Sequence, residues 1–313
     1  MRKSMDAKYI AKGTEECFKC GRGRIHSLYH SAINLLFGER IITLLSEGRS
    51  ILPYGIVLKK DSAKAKDFTD IGVELSKNDP VFADDEGIHL PNLLIRIAPA
   101  LPVNLNMIER VGKLEKPEDI KSRLKKFADI IYDIGKKEGL SVLLSKESLP
   151  FHIQREYSPN VWSEFLAERI RIFLSVLESL PPKIKPADLI SWGEALAGCG
   201  PGLSPASDDF LTGIFAGLYG KALSGELALS MAEEICRYIS EGAIPKTTFI
   251  SAQFLRQSGK EKMFSEDVIA LIENIYQGDE KSIAESVRRV AAFGSTSGSD
   301  IMTGIYFALS LKY

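Results

Sequence analysis

Three aspartates define the chemistry this sequence could perform. Asp208 and Asp209 stand side by side at the end of the run Gly198-Cys199-Gly200-Pro201-Gly202-Leu203-Ser204-Pro205-Ala206-Ser207, and Asp300 follows Gly294-Ser295-Thr296-Ser297-Gly298-Ser299. Aligning Asp209 with Asp300 brings Thr212 onto Thr303, Gly213 onto Gly304, Ile214 onto Ile305 and Phe215 onto Tyr306, so the second stretch reads as a partial copy of the first. Each copy is a small-residue loop feeding an apolar helix. Glycines allow a ligand to approach the backbone closely. A helix start offers unpaired N–H groups and partial positive charge, which suit an anion. Gly200, Gly202, Ser204 and Ser207 in one copy, with Thr296, Ser297, Gly298 and Ser299 in the other, are the candidate substrate-binding positions; Asp208, Asp209 and Asp300 are the candidate catalytic acids. Ser and Asp are also preferred N-caps, so the same residues fit a purely capping role.

A third polar cluster follows Pro245: Lys246-Thr247-Thr248-Phe249-Ile250-Ser251. Thr247, Thr248 and Ser251 join the candidate binding set, and Lys246 offers the positive charge the glycine loops lack. A capped helix explains the cluster equally well. No Lys-Ser/Thr pair follows the glycines, so this is not a Walker A loop. The preceding segment, 188–196, has a helical pattern, which argues against a Rossmann fingerprint. No cofactor is expected. Mg²⁺ held by the carboxylates is the second choice, beside an amide or amine oriented by the same oxygens. Cys17-x-x-Cys20 with His26 and His30 suggests zinc, but five residues between Cys20 and His26 are too few for a finger and no second Cys pair exists. Cys199 has no candidate base beside it in sequence.

The elements that must carry these loops fall into two textures. From about Arg24 to Ala100 the runs 41–45, 51–58 and 92–97 read as strands, with turns at 78–80 and 84–87 and one short helix over His26–Leu36; residues 1–20 read as a loosely held leader. After Pro99 and Pro102 the spacing turns helical: Ile120, Leu124, Phe127, Ile131 and Ile134, then Val161 to Leu177 up to Pro181-Pro182. Further helices are predicted near 187–197, 208–220, 225–240, 247–257, 266–276, 280–292 and 300–311. The expectation is an α+β protein: a β-rich N-terminal domain over 1–104, then a mostly α-helical domain over 105–313. Gly213/Gly217 and Gly304/Ala308 give two of these helices one small-residue face each. If those faces meet, the two loops reach one pocket.

The 313 residues are 45% hydrophobic and 26% charged, enough for two cores, and the formal net charge is −1. That charge supplies no overall attraction for nucleic acid or acidic membranes, so neither is an expected partner. No stretch approaches a bilayer span, the N-terminus lacks the apolar run of a secretory signal, and four cysteines make no disulfide framework. Cytoplasmic residence is the default expectation.

The strings GCGPGLSPASDDFLTGIFAGL, PKTTFISAQFLRQSG and GSTSGSDIMTGIYFAL, with GRIHSLYHSAINLLF near the N-terminus, resemble the uncharacterised-domain family that includes the AllH-type subunit of oxamate carbamoyltransferase. The resemblance runs over most of the chain from about Gly23. Where that family usually has Gly-Asp-Asp after the proline, this chain has Ala206-Ser207-Asp208-Asp209. The resemblance implies carbamoyl transfer between oxamate and phosphate, linking oxalurate to carbamoyl phosphate in allantoin breakdown, part of purine degradation. Its partners would be a small anionic substrate and other protein subunits. The competing expectation is a non-catalytic partner or ligand-sensing subunit of a multi-subunit complex.

Overall fold

The computed structural model describes residues 3–59, 73–144, 161–179, 185–200 and 204–312. They form two compact units, Met1–Leu105 and Asn106–Tyr313.

The first unit is a barrel-like sheet. Its strands are β1 (Lys3–Ala11), β2 (Arg22–Leu28), β3 (Ala32–Phe37), β4 (Arg40–Leu45), β5 (Gly55–Leu58), β6 (Pro80–Asp84), β7 (Gly87–Leu90), β8 (Leu93–Arg96) and β9 (Leu101–Val103). The order β5-β4-β3-β2-β6-β7-β8-β1 closes on itself because β1 also pairs antiparallel with β5, and β9 adds to β1 in parallel. Closure removes the open edges that would otherwise invite aggregation. Alternation along the strands sends Ile25, Ile33, Leu35, Phe37, Ile42, Leu44, Ile56, Ile88 and Ile95 into a single core.

Two expectations are corrected here. Residues 1–20 are not a loose leader. Met5, Ala7 and Ile10 are buried, Lys3–Asp6 pairs with Leu93–Arg96, and Ala7–Ile10 pairs with Ile56–Leu58. The segment His26–Leu36 is not a helix but most of the β2–β3 hairpin, with Tyr29 N–H bonded to Ala32 O at 2.8 Å. Its apolar residues at 25, 33, 35 and 37 follow period two, and the intervening Leu28-Tyr29-His30 imitates a helical stripe. The run 51–58 also enters the sheet only at Gly55, after a turn closed by Gly55 N–H to Leu52 O.

The second unit is helical: α1 (Met107–Val111), α2 (Ile120–Ile134), α3 (Val161–Glu178), α4 (Pro186–Leu196), α5 (Ala206–Leu223), α6 (Leu229–Ala243), α7 (Phe249–Gly259), α8 (Glu266–Gln277), α9 (Glu280–Ala291) and α10 (Ser297–Ser310). Helix α5 is buried on nearly every side, and α10 likewise, so both are apolar all round and form the centre of the unit. Helices α2, α6, α8 and α9 are amphipathic and cover that centre with one face each. No helix among the described residues is long and apolar enough to cross a membrane.

Candidate functional site

Glycines fix how the two central helices meet. A Cβ on Gly213 would collide with Ile301 O and lie 3.0 Å from Gly304 Cα; a Cβ on Gly304 would collide with Phe210 O and lie 3.0 Å from Gly213 Cα. The contact is reciprocal, each glycine facing the carbonyl three residues before the other. One turn on, a Cβ on Gly217 would stand 2.6 Å from Ala308 Cβ. Position 213 faces 304 and 217 faces 308, so the order is preserved and α5 and α10 run parallel. Backbone-to-backbone contact of this kind is open only to glycine. Since Asp209 and Asp300 each lie four residues before the crossing glycine, both sit at the same end of the pair.

The two copies repeat their local bonding. Thr212 Oγ1 donates to Asp208 O at 3.0 Å, and its counterpart Thr303 Oγ1 donates to Ser299 O at 2.8 Å. Asp208 Oδ1 accepts from Gly198 N–H at 2.8 Å, while Ser299 Oγ, at the matching position, accepts from Lys136 N–H at 2.9 Å. Neither α5 nor α10 has a side chain capping its own start. The acids instead reach across to other segments.

Asp208 is the most fully engaged of them. Besides Gly198 N–H, its Oδ2 accepts from Thr247 Oγ1, and the buried Ser251 hydroxyl faces the same carboxyl at longer range. Burial raises its pKa, opposed by these donors. Asp208 thus ties the glycine loop to the start of α7. Thr247→Val should remove one donor from a buried carboxylate and cost about 1–3 kcal/mol in denaturant unfolding, with Thr247→Ser restoring most of it. Equal stability of the valine variant would show that this link is idle.

Asp209 and Asp300 are a different pair. Burial pushes Asp209 up to about 7, against the opposing pull of the Ser204 and Ser297 hydroxyls. Burial pushes Asp300 up to about 8; the Leu140 N–H, 2.5 Å from its Oδ1, opposes this, and the Asp209 charge adds to it. Two desolvated carboxyls raised in this way hold protons near neutral pH. Asp209 Oδ2 and Asp300 Oδ2 are both buried without a hydrogen-bond partner. Buried orphans of this kind are rare and need a reason.

Around this floor the predicted binding residues divide. Ser207 Oγ both accepts from Cys199 N–H at 2.9 Å and donates to Cys199 O at 2.8 Å, closing the loop on itself. Ser299 is engaged with Lys136, and a Cβ on Gly298 would collide with Val290 O, so that glycine seats α10 on α9. Thr248 caps α7, accepting from Ser251 N–H at 3.2 Å. These four hold the scaffold. Gly200, Ser204, Thr247, Thr296 and Ser297 are only partly buried and rim the acids, with Gly198 and Gly200 in left-handed conformations (φ 74° and 108°). Gly202 lies outside the described residues. Lys246 lays its backbone carbonyl against Gly198, where a Cβ would stand 2.5 Å from it.

The sequence reading missed the segment after α2. A Cβ on Gly139 would collide with Asp300 Oδ1, and Leu140 N–H binds the same oxygen. The glycines at 135 and 139 were the available signal. Among the described residues, no group of three or more His, Cys, Asp or Glu side chains converges as a metal site.

Comparison with known families matches residues 196–309 to the family described as oxamate carbamoyltransferase subunit AllH, and residues 2–103 to the AllH family N-terminal domain. This chain belongs to the AllH family. The first match spans α5, α7 and α10 with their loops, so the acid pair and its rim lie wholly within the AllH-family region; the second covers the barrel. No curated protein and no solved structure matches the chain.

Proposed function

We propose that this AllH-family chain is the subunit of a carbamoyltransferase-like enzyme that binds small anionic amides or carbamoyl phosphate of the oxamate and oxalurate type. The supporting observation is the pair of orphaned oxygens, Asp209 Oδ2 and Asp300 Oδ2, at the joined starts of α5 and α10. A carbamoyl or amide –NH₂ offers two donors and fits two acceptors. Its anionic end suits the hydroxyl and backbone rim of Gly200, Ser204, Thr296 and Ser297 at the same helix starts. Transfer of the carbamoyl group from oxalurate to phosphate breaks the bond between the carbamoyl carbon and the oxamate nitrogen and forms a carbon–oxygen bond to phosphate. The leaving nitrogen must gain a proton. A carboxyl that stays protonated near neutrality is the group able to supply it. Positioning and charge stabilisation account for the remainder without a covalent intermediate.

A second reading rests on burial. Asp300 is 0% exposed and Asp208 2%. In that reading the chain is a non-catalytic partner whose glycine loops form an interface in a complex, without performing the transfer itself. Thermal-shift titration with carbamoyl phosphate, phosphate, oxamate and oxalurate separates the two. Stabilisation by these anions supports the binding site. No shift with any of them, alongside stabilisation by a co-expressed partner protein, supports the second reading instead.

A further inference from the structure

The proposed site has acids, hydroxyls and backbone donors; a fixed positive charge would strengthen its hold on an anion, and the chain carries one beside the glycine loop. Arg169, in the middle of α3, lays its guanidinium over the Phe165 ring at 4.1 Å and donates from Nη1 to Ala195 O at 2.8 Å. Ala195 is in the last turn of α4, three residues before Gly198. The carbonyls there have no helical partner, so the contact completes the α4 terminus and anchors the guanidinium at the same time. A planar guanidinium has five N–H donors, and Ala195 O occupies one. Arg169 has no carboxylate partner among the described residues, whereas Arg171, two positions on, is doubly bonded to Glu168. The Arg169 charge is felt at Cys199, inside the glycine loop, together with the opposing charge of Asp208. The half-buried Cys199 is itself bonded through its backbone to Ser207, the neighbour of Asp208. Both Phe165 and the arginine remain accessible enough to meet a solute.

We propose that Arg169 is the cationic recognition residue of this site, gripping the phosphate or carboxylate end of the anion beside Gly198 and Gly200. Its remaining donors match the two-oxygen face of such a group in a way an ammonium cannot. The amide end then faces Asp209 and Asp300. The assignment rests on the binding role proposed above and adds the source of charge. It also explains why the glycine loops lack a lysine of their own: the charge is delivered from α3. The stack on Phe165 and the bond to Ala195 fix the guanidinium in advance, so little side-chain entropy is lost on binding.

The test compares wild type, Arg169→Ala and Arg169→Lys by calorimetric titration with inorganic phosphate and with carbamoyl phosphate, and records each variant's melting temperature without ligand. Alkylation of Cys199 by iodoacetamide, with Cys17 as the internal reference, gives a local readout. Wild type is expected to bind and to protect Cys199. Arg169→Ala should bind roughly tenfold or more weakly and lose the protection, and Arg169→Lys should fall between. If Arg169→Ala proves unfolded, the lysine variant decides, because it keeps the charge and loses the fork. Wild-type affinity in a folded alanine or lysine variant would overturn the role of Arg169 alone. Failure of wild type to bind either anion would overturn the binding role together with it.

Discussion

Replacing Gly304 with valine is expected to unfold the helical unit, or to cost it on the order of 4 kcal/mol or more. The reason lies at the crossing itself. Even the Cβ would enter the space of Phe210 O, and Gly213 Cα is 3.0 Å away. The obstacle is backbone in the middle of a buried helix, so no side-chain rotation relieves it. Gly213→Val should behave alike, because the contact is reciprocal. Alanine at either position should cost roughly 1–3 kcal/mol even after its better helix propensity is counted. Denaturant unfolding followed by circular dichroism measures both. A Gly304→Val protein with wild-type stability would mean that α5 and α10 do not touch at their glycines.

The second large effect is electrostatic and depends on pH. Free aspartate titrates near 3.9, whereas Asp209 and Asp300 are raised to about 7 and about 8. Between those values the folded protein holds protons that the unfolded chain has released. Stability therefore falls as pH rises, since the unfolded state binds fewer protons over that window. The contribution is fully present below about pH 4 and is lost as pH climbs through 7 and 8. Asp209→Asn replaces a titrating acid with a neutral group of the same shape. At about pH 4 it should be near neutral in effect, and at about pH 9 it should gain on the order of 4 kcal/mol over wild type. Urea midpoints across that range test it. Parallel pH curves for wild type and variant would show that neither acid is held protonated. The variant should also bind carbamoyl phosphate more weakly, trading function for stability as buried functional acids commonly do.

Much of this architecture was legible because long helices repeat their pattern. The spacing of Ile120, Leu124, Phe127 and Ile131 gave α2, and the matched strings at Asp209 and Asp300 pointed to the glycine faces that meet at Gly213 and Gly304. Short strands carry less signal. Lys3–Ala11 buries Met5, Ala7, Ile10 and Ala11, of which Ile10 alone is a strong strand former, so its order comes from pairing with β8 and β5 far along the chain. The hairpin over 22–37 failed for a similar reason, since its turn contains no glycine, asparagine or proline. At the site, residue type named the acids but not their division of labour. Only three-dimensional placement separates Asp208, bonded to Gly198 and Thr247, from Asp209 and Asp300 with their open oxygens. Ser207 and Ser299 looked equivalent to Ser204 and Ser297 in sequence, yet they are engaged with Cys199 and Lys136. Leu140 and Arg169 could not be found this way, because a backbone N–H and a mid-helix arginine have no motif.

The direct test of a shared acid site is calorimetric binding of carbamoyl phosphate and oxamate to wild type, Asp209→Asn, Asp300→Asn and the double variant. If one ligand amide lies between the two open oxygens, each single change should weaken binding roughly tenfold, and the double change should lose less than the product of the two. Wild-type binding that survives Asp300→Asn intact would contradict the account, because the second helix start would then have no part in holding the ligand.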